Sequence, residues 1–82
     1  MNQQLIFNDD YHFDDAHQAV SCTVLQAGLR LQVLIRMPDG WQKEAWLCQV
    51  NEDCFFWEEQ IEAAVAAELF DKDGIVWLDG SL

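Results

Sequence analysis

The stretch that decides the fold is AVSCTVLQAGLRLQVLIR, residues 19–36. Val20, Cys22 and Val24 alternate with other residues before Gln26-Ala27-Gly28, and Leu29, Leu31, Val33 and Ile35 alternate with Arg30, Gln32 and Arg36 after it. Successive side chains of a strand point to opposite faces, so two alternating runs separated by a glycine-bearing turn predict a β-hairpin with one face buried. Gly28 can take the positive φ that such a tight turn requires, where alanine would be strained.

Working outward, Gln3 to Phe7 is a short apolar segment that predicts an edge strand, stopped by the turn-prone Asn8-Asp9-Asp10. Downstream, Pro38-Asp39-Gly40-Trp41-Gln42 reads either as a turn into a third strand or as a helix start with Asp39 as N-cap. A strand would place Lys43 on the buried side with Trp41, Ala45 and Leu47, whereas a helix gathers Trp41, Ala45 and Cys48, so a short helix around residues 40–48 is favoured. Asn51-Glu52-Asp53 then opens an amphipathic helix over residues 53–70. Cys54, Trp57, Ile61, Ala64, Val65 and Leu69 form its apolar stripe, with Glu58, Glu59 and Glu62 opposite. Asp71-Lys72-Asp73-Gly74 ends it, and Ile75 to Leu78 returns as a final strand before a frayed Asp79-Gly80-Ser81-Leu82.

These elements predict an α+β fold: a small antiparallel sheet of three to four strands packed against one long amphipathic helix and a shorter helix, in one domain spanning residues 1–82. The expected core is Phe7, Val20, Cys22, Val24, Leu31, Val33, Ile35, Trp57, Ile61, Val65, Leu69, Ile75 and Trp77. With 51% hydrophobic residues the chain is too apolar for a disordered tail, despite a formal net charge of -11.

Charge narrows the partners. Four Lys plus Arg against fifteen Asp plus Glu leave little to neutralise phosphates, so neither nucleic acid nor an anionic membrane is an expected partner. MNQQLIFNDD has neither a basic nor a long apolar segment at its start, and the Ala63–Ala67 run falls far short of a membrane span, so a cytoplasmic protein is expected. Cys22, Cys48 and Cys54 are an odd set for a disulfide framework and fit reduced thiols packed as small hydrophobes.

Residues 9–17, DDYHFDDAH, are the first candidate site. Extended backbone would set Asp10, His12 and Asp14 on one side, and with His17 they offer carboxylate and imidazole ligands for a divalent ion. The spacing lacks the paired histidines and glutamate of a zinc helix. The competing structural reading makes the stretch a connector: Tyr11 and Phe13 tuck under the sheet, and Asp14 caps a turn through Ala16. Asp71, Asp73 and Gly74 resemble part of a calcium loop, but aligning Gly74 with the loop glycine puts Leu69 and Gly80 where ligands belong. No nucleophile elbow, phosphate loop or CxxC motif occurs, so neither an enzyme nor a bound cofactor is expected.

The aromatic residues form the second candidate. Trp41, Trp46, Phe55, Phe56, Trp57 and Trp77 are more large rings than the inner face of so small a domain readily covers. Trp46, Phe55 and Phe56 fall off the assigned stripes, so beside Glu58, Glu59 and Glu62 some of them are expected to form an exposed patch for a protein partner or a second copy of the chain; the competing structural reading is that a short helix packs across them. A non-enzymatic interaction or regulatory module is the leading expectation. The alternatives are the metal site and an acidic mimic of the DNA backbone.

In order along the chain stand a leading strand ending in Phe7, the pair Phe13-Asp14, the run Gln18-Ala19-Val20, Gly28 in the hairpin turn and the helical segment Phe56-Trp57-Glu58-Glu59-Gln60-Ile61-Glu62. This order resembles the bacterial family of short proteins termed domain of unknown function 1488, over nearly the whole chain. The chain departs from the family at Phe13, where the family carries Trp, and at Pro38-Asp39-Gly40, where the family is more helix-like. The resemblance implies a compact α+β fold and a standalone cytoplasmic domain. It transfers no catalytic residue.

Overall fold

A computed structural model describes residues 5–80. The elements run β1 (Leu5–Phe7), β2 (His12–Asp14), β3 (Ala19–Gln26), β4 (Leu29–Arg36), α1 (Lys43–Glu52), α2 (Cys54–Ala66) and β5 (Val76–Asp79). The hairpin of β3 and β4 is the backbone of the sheet, paired from Ala19↔Arg36 to Gln26↔Leu29. Its two-residue turn takes positive φ at both Ala27 (51°) and Gly28 (84°). Double positive φ matches the right-handed twist of the flanking strands, but only one of the two positions carries the residue suited to it.

The fold is α+β as expected, with five strands among the described residues and a mixed rather than purely antiparallel sheet. One extra strand is β2, a three-residue element within the stretch read as a loop between strands. β1 and β2 share the same edge of β3, β1 pairing Leu5↔Gln26 to Phe7↔Val24 and β2 pairing His12↔Ser21 to Asp14↔Ala19. The other departure is β5, which lies parallel to β4. Two helices intervene between these strands, and a crossover that returns the chain to the same end of the sheet makes the pair parallel. Of the expected first strand, Gln3 and Gln4 lie outside the described residues, as do Ser81 and Leu82 of the expected tail.

Both helices are present with shifted ends. Gly40 takes a φ of 91° and a turn spans Pro38 to Trp41, so α1 starts at Lys43 with Gln42, not Asp39, as its N-cap. Asp53 ends α1 and begins α2. At the far end Glu68 adopts a φ of 55°, while its N–H bonds Val65 O and the Leu69 N–H bonds Ala64 O at 3.0 Å each. This paired capping pattern closes the helix at Ala66, well before Phe70. Leu69, expected in the core, is consequently 61% exposed.

The core lies between the helices and one sheet face: Val20, Cys22, Val24, Val33 and Ile35 meet Trp46, Val50, Trp57, Ile61, Val65 and Val76. Phe7 and Leu31 pack against its edge. In β5 the buried residue is Val76, whereas Ile75 and Trp77, expected in the core, are only half-buried. Every position of Ile75-Val76-Trp77-Leu78 is apolar, so the pattern does not fix which alternate set faces inward. Trp46 is the largest correction. Expected in an exposed patch, it is 3% exposed, and its indole N–H donates to Ile35 O at 3.3 Å. With α1 starting at Lys43, Trp46 and Val50 stand four residues apart on the inward face.

Gly80 fits a space that no larger residue could occupy. A Cβ there would collide with the Arg36 carbonyl oxygen and come within 2.6 Å of the Trp46 ring, so Gly80 lets the end of β5 close over Trp46.

Candidate functional site: an aromatic and acidic helix surface

Three edge-to-face contacts link four rings. Trp41 meets Trp46 with centroids 5.2 Å apart, Trp46 meets Trp57 at 6.2 Å, and Trp57 meets Phe56 at 4.9 Å. Such geometry sets the positive edge of one ring against the negative face of the next, worth about 0.5–1.5 kcal/mol per pair beyond area burial. The two inner rings are buried, while Trp41 and Phe56 at the ends are 40% and 42% exposed. The ladder therefore buries Trp46 and Trp57 and leaves Trp41 and Phe56 at the surface.

Phe55 stands apart from the ladder at 79% exposure, beside Phe56 at the start of α2. One helical turn further, Glu59 and then Glu62 are exposed, with Glu58 half-buried. Of the six residues expected to form an interaction surface, Phe55, Phe56, Glu59 and Glu62 are at the surface, Glu58 is partly so, and Trp46 is not. From Glu44 to Asp71 there are eight acidic residues and no lysine or arginine. Apart from Lys43 at the start of α1, which pairs with Asp15, the helices thus present apolar rings in an acidic field.

The 9–17 stretch forms two separate pairs on the sheet edge. Asp10 accepts the Thr23 N–H at 2.8 Å and the Thr23 hydroxyl at 2.6 Å. Partial burial pushes the Asp10 carboxyl up, but the two Thr23 bonds and the Arg30 charge outweigh it and hold the carboxyl below its usual value. Asp14 instead accepts the His17 ring N–H at 2.8 Å and its backbone N–H at 3.2 Å, which lowers its pKa. His12 donates from Nδ1 to Asp10 O at 3.1 Å. The stretch is therefore divided between two local tasks: Asp10 clamps β3 in the gap between β1 and β2, and Asp14 caps the turn after β2. Among the described residues no three His, Cys, Asp or Glu side chains gather as metal ligands would. Tyr11 and Phe13 pack against the core as expected. The Tyr11 hydroxyl is buried without a hydrogen-bond partner among the described residues, and burial raises its pKa beyond the usual phenol value.

Asp71, considered for a calcium loop, is a turn-former. Its carboxylate accepts the Asp73 and Ile75 N–H groups at 2.8 and 2.9 Å and the Trp77 indole N–H at 2.9 Å, tying the turn to β5. The cysteines are free: Cys22 is buried, Cys54 intermediate and Cys48 exposed. Burial pushes the Cys22 thiol up to about 12, and a bond to Glu52 raises that of Cys48, so neither carries thiolate character. No helix among the described residues is long and apolar enough to cross a membrane.

Sequence reasoning missed a second surface, the sheet face away from the helices. Arg36 lies over the Trp77 ring at 5.2 Å and His17 meets the same ring at 5.6 Å. Beside them Asp10, His12, Ser21, Thr23, Arg30 and Gln32 line an open depression of about 400 Å³. Both arginines of the chain are on this face. The signal was present in the hairpin, where Ser21, Thr23, Arg30, Gln32 and Arg36 occupy the polar phase of the alternation.

No family model matches the sequence, and no curated protein matches it. Among solved structures it is similar to a protein of unknown function from the domain of unknown function 1488 family of Shewanella loihica PV-4, determined by crystallography at 1.60 Å. The two share 26% identity and superpose with a TM-score of 0.84 over 95% of this chain and 94% of that one. The chain therefore resembles the domain of unknown function 1488 family in three dimensions as well as in the order of its motifs.

Proposed function

We propose that the protein is a non-enzymatic interaction module whose outer α2 surface docks a protein partner through a basic segment carrying apolar side chains. The observation that carries this reading is the exposure of Phe55 and Phe56 together, within a stretch, residues 44–71, that holds eight acids and no lysine or arginine. An exposed pair of phenylalanines gains little in water, whereas burying them against a partner supplies the anchor typical of interface hot spots. The surrounding acids select the sign of that partner. A second copy presenting the same face would bring Glu59 and Glu62 towards their own counterparts, which like-charge repulsion disfavours. Mimicry of the DNA backbone has less support, because Asp10, Asp14, Asp15, Glu52, Asp53 and Asp71 are occupied by hydrogen bonds within the chain.

Affinity purification with the protein as bait, quantified against a Phe55→Ser, Phe56→Ser double variant, tests the proposal. Truncating an anchor of this type costs about 2 kcal/mol, roughly 30-fold in affinity. A partner with a basic segment should be depleted from the variant's eluate and weakened by moderate salt. Recovery profiles that do not differ between the two baits overturn the reading.

A further inference from the structure

The depression on the open sheet face has opposite chemistry on its two walls. One wall is acceptor-rich. His12 commits Nδ1–H to a backbone carbonyl, so the acceptor of its neutral tautomer is Nε2, and Asp10 has spent only two of its carboxylate's roughly four lone-pair directions on Thr23. The other wall, from β4, is donor-rich. The Arg30 guanidinium makes no hydrogen bond or ion pair with any described residue, and Gln32 donates one N–H to Ser21 Oγ at 3.3 Å, keeping its second. The floor between them is β3, where Ser21 and Thr23 are short enough to leave the space open. Ser21 is 2% exposed, and its hydroxyl proton meets no acceptor among the described residues.

We propose that this depression binds a small zwitterion, with its carboxylate on Arg30 and Gln32 and its ammonium on His12 and Asp10. Guanidinium pairs with carboxylate through two parallel bonds, which fixes orientation as well as charge. A simple anion would gain Arg30 but meet the Asp10 charge, and a simple cation would do the reverse. Only a ligand carrying both signs satisfies both walls. Asp10 and Gln32 meet β3 from opposite sides at Thr23, with backbones about 10 Å apart, while His12 and Arg30 are displaced two residues along the strands in opposite directions. Free amino acids and short ω-amino acids or dipeptides have this size and polarity.

Amide and arginine side-chain NMR spectra, recorded during titration with glycine, β-alanine, γ-aminobutyrate and diglycine at constant ionic strength, test this. Acetate and ethylammonium serve as single-charge controls. At least one zwitterion should shift Ser21, Thr23, Gln32 and the Arg30 Nε–H with a dissociation constant on the order of 1–10 mM. Arg30→Gln should weaken it about tenfold or more, while Arg36→Gln, on the same face outside the depression, should leave it unchanged. Both arginines are exposed, so neither change threatens the fold. The proposal is overturned if no zwitterion shifts these residues, if acetate or ethylammonium binds as well, or if Arg36→Gln weakens binding as much as Arg30→Gln.

Discussion

Replacing Asp10 by alanine removes the clamp that bridges the gap between β1 and β2. Between Phe7↔Val24 and His12↔Ser21 the edge has four residues where β3 has two, so its backbone reaches the Thr23 carbonyl, which accepts the Asn8 N–H at 3.3 Å, but leaves the Thr23 N–H to a side chain. The Asp10 carboxylate takes over, accepting the Thr23 N–H at 2.8 Å and its hydroxyl at 2.6 Å. A donor left without its partner costs about 1–3 kcal/mol when fully buried; Thr23 is half-buried, which points to a loss of about 2 kcal/mol for Asp10→Ala. For a domain of this size that lowers Tm by about 8–16 °C. Asp10→Asn keeps one acceptor and should lose about half as much. Because the folded carboxyl titrates below its unfolded value, its stabilisation is complete above the unfolded pKa, near 3.9, and is lost as pH falls through the folded pKa. The difference between wild type and Asp10→Asn should therefore be full at pH 7 and shrink below about pH 4. Urea unfolding at both pH values and amide exchange at Thr23 measure it. A Tm change within about 2 °C, with Thr23 protection unaltered, would refute the clamp.

Two further outcomes follow from local geometry. Ala27 holds a φ of 51° in the hairpin turn, a region that costs alanine about 1 kcal/mol and that asparagine and glycine tolerate, so Ala27→Asn should raise Tm by about 4–8 °C in thermal unfolding. Alkylation of the native protein followed by mass spectrometry should modify Cys22 last, because it is buried with its thiol pushed up to about 12, whereas Cys48 is exposed and Cys54 partly so. Early modification of Cys22 would contradict the packing.

The hairpin was legible because Val20, Cys22, Val24, Val33 and Ile35 fall on alternate positions of β3 and β4, even though Leu25 and the buried Leu34 are apolar out of phase. The α2 stripe was legible for the same reason at helical spacing, through Trp57, Ile61, Ala64 and Val65. β2 escaped because three residues are too few to establish an alternating pattern, and only its pairing partner reveals it. Trp46 was misplaced because helical spacing groups Trp41, Ala45 and Cys48 as the inward face; Trp41 precedes α1, all three are exposed, and the face that packs inward carries Trp46 and Val50. Leu69 was misplaced because Glu68, with no sequence signal for a left-handed conformation, closes the helix early. At the candidate site, Phe55 and Phe56 could be found as rings that no stripe accommodates. The depression on the sheet could not, because its two walls come from β2 and β4, and only the register with β3 brings them together.

The most direct test of the docking surface is photo-crosslinking from α2 itself. A photoreactive benzoylphenylalanine replacing Phe55 should give a discrete adduct with a protein in cells, and Glu59→Lys with Glu62→Lys should abolish it. The same group replacing Leu29, which is 67% exposed at the hairpin end, should give none. Equal crosslinking from positions 55 and 29, or an adduct from position 55 indifferent to the two charge reversals, would contradict the account.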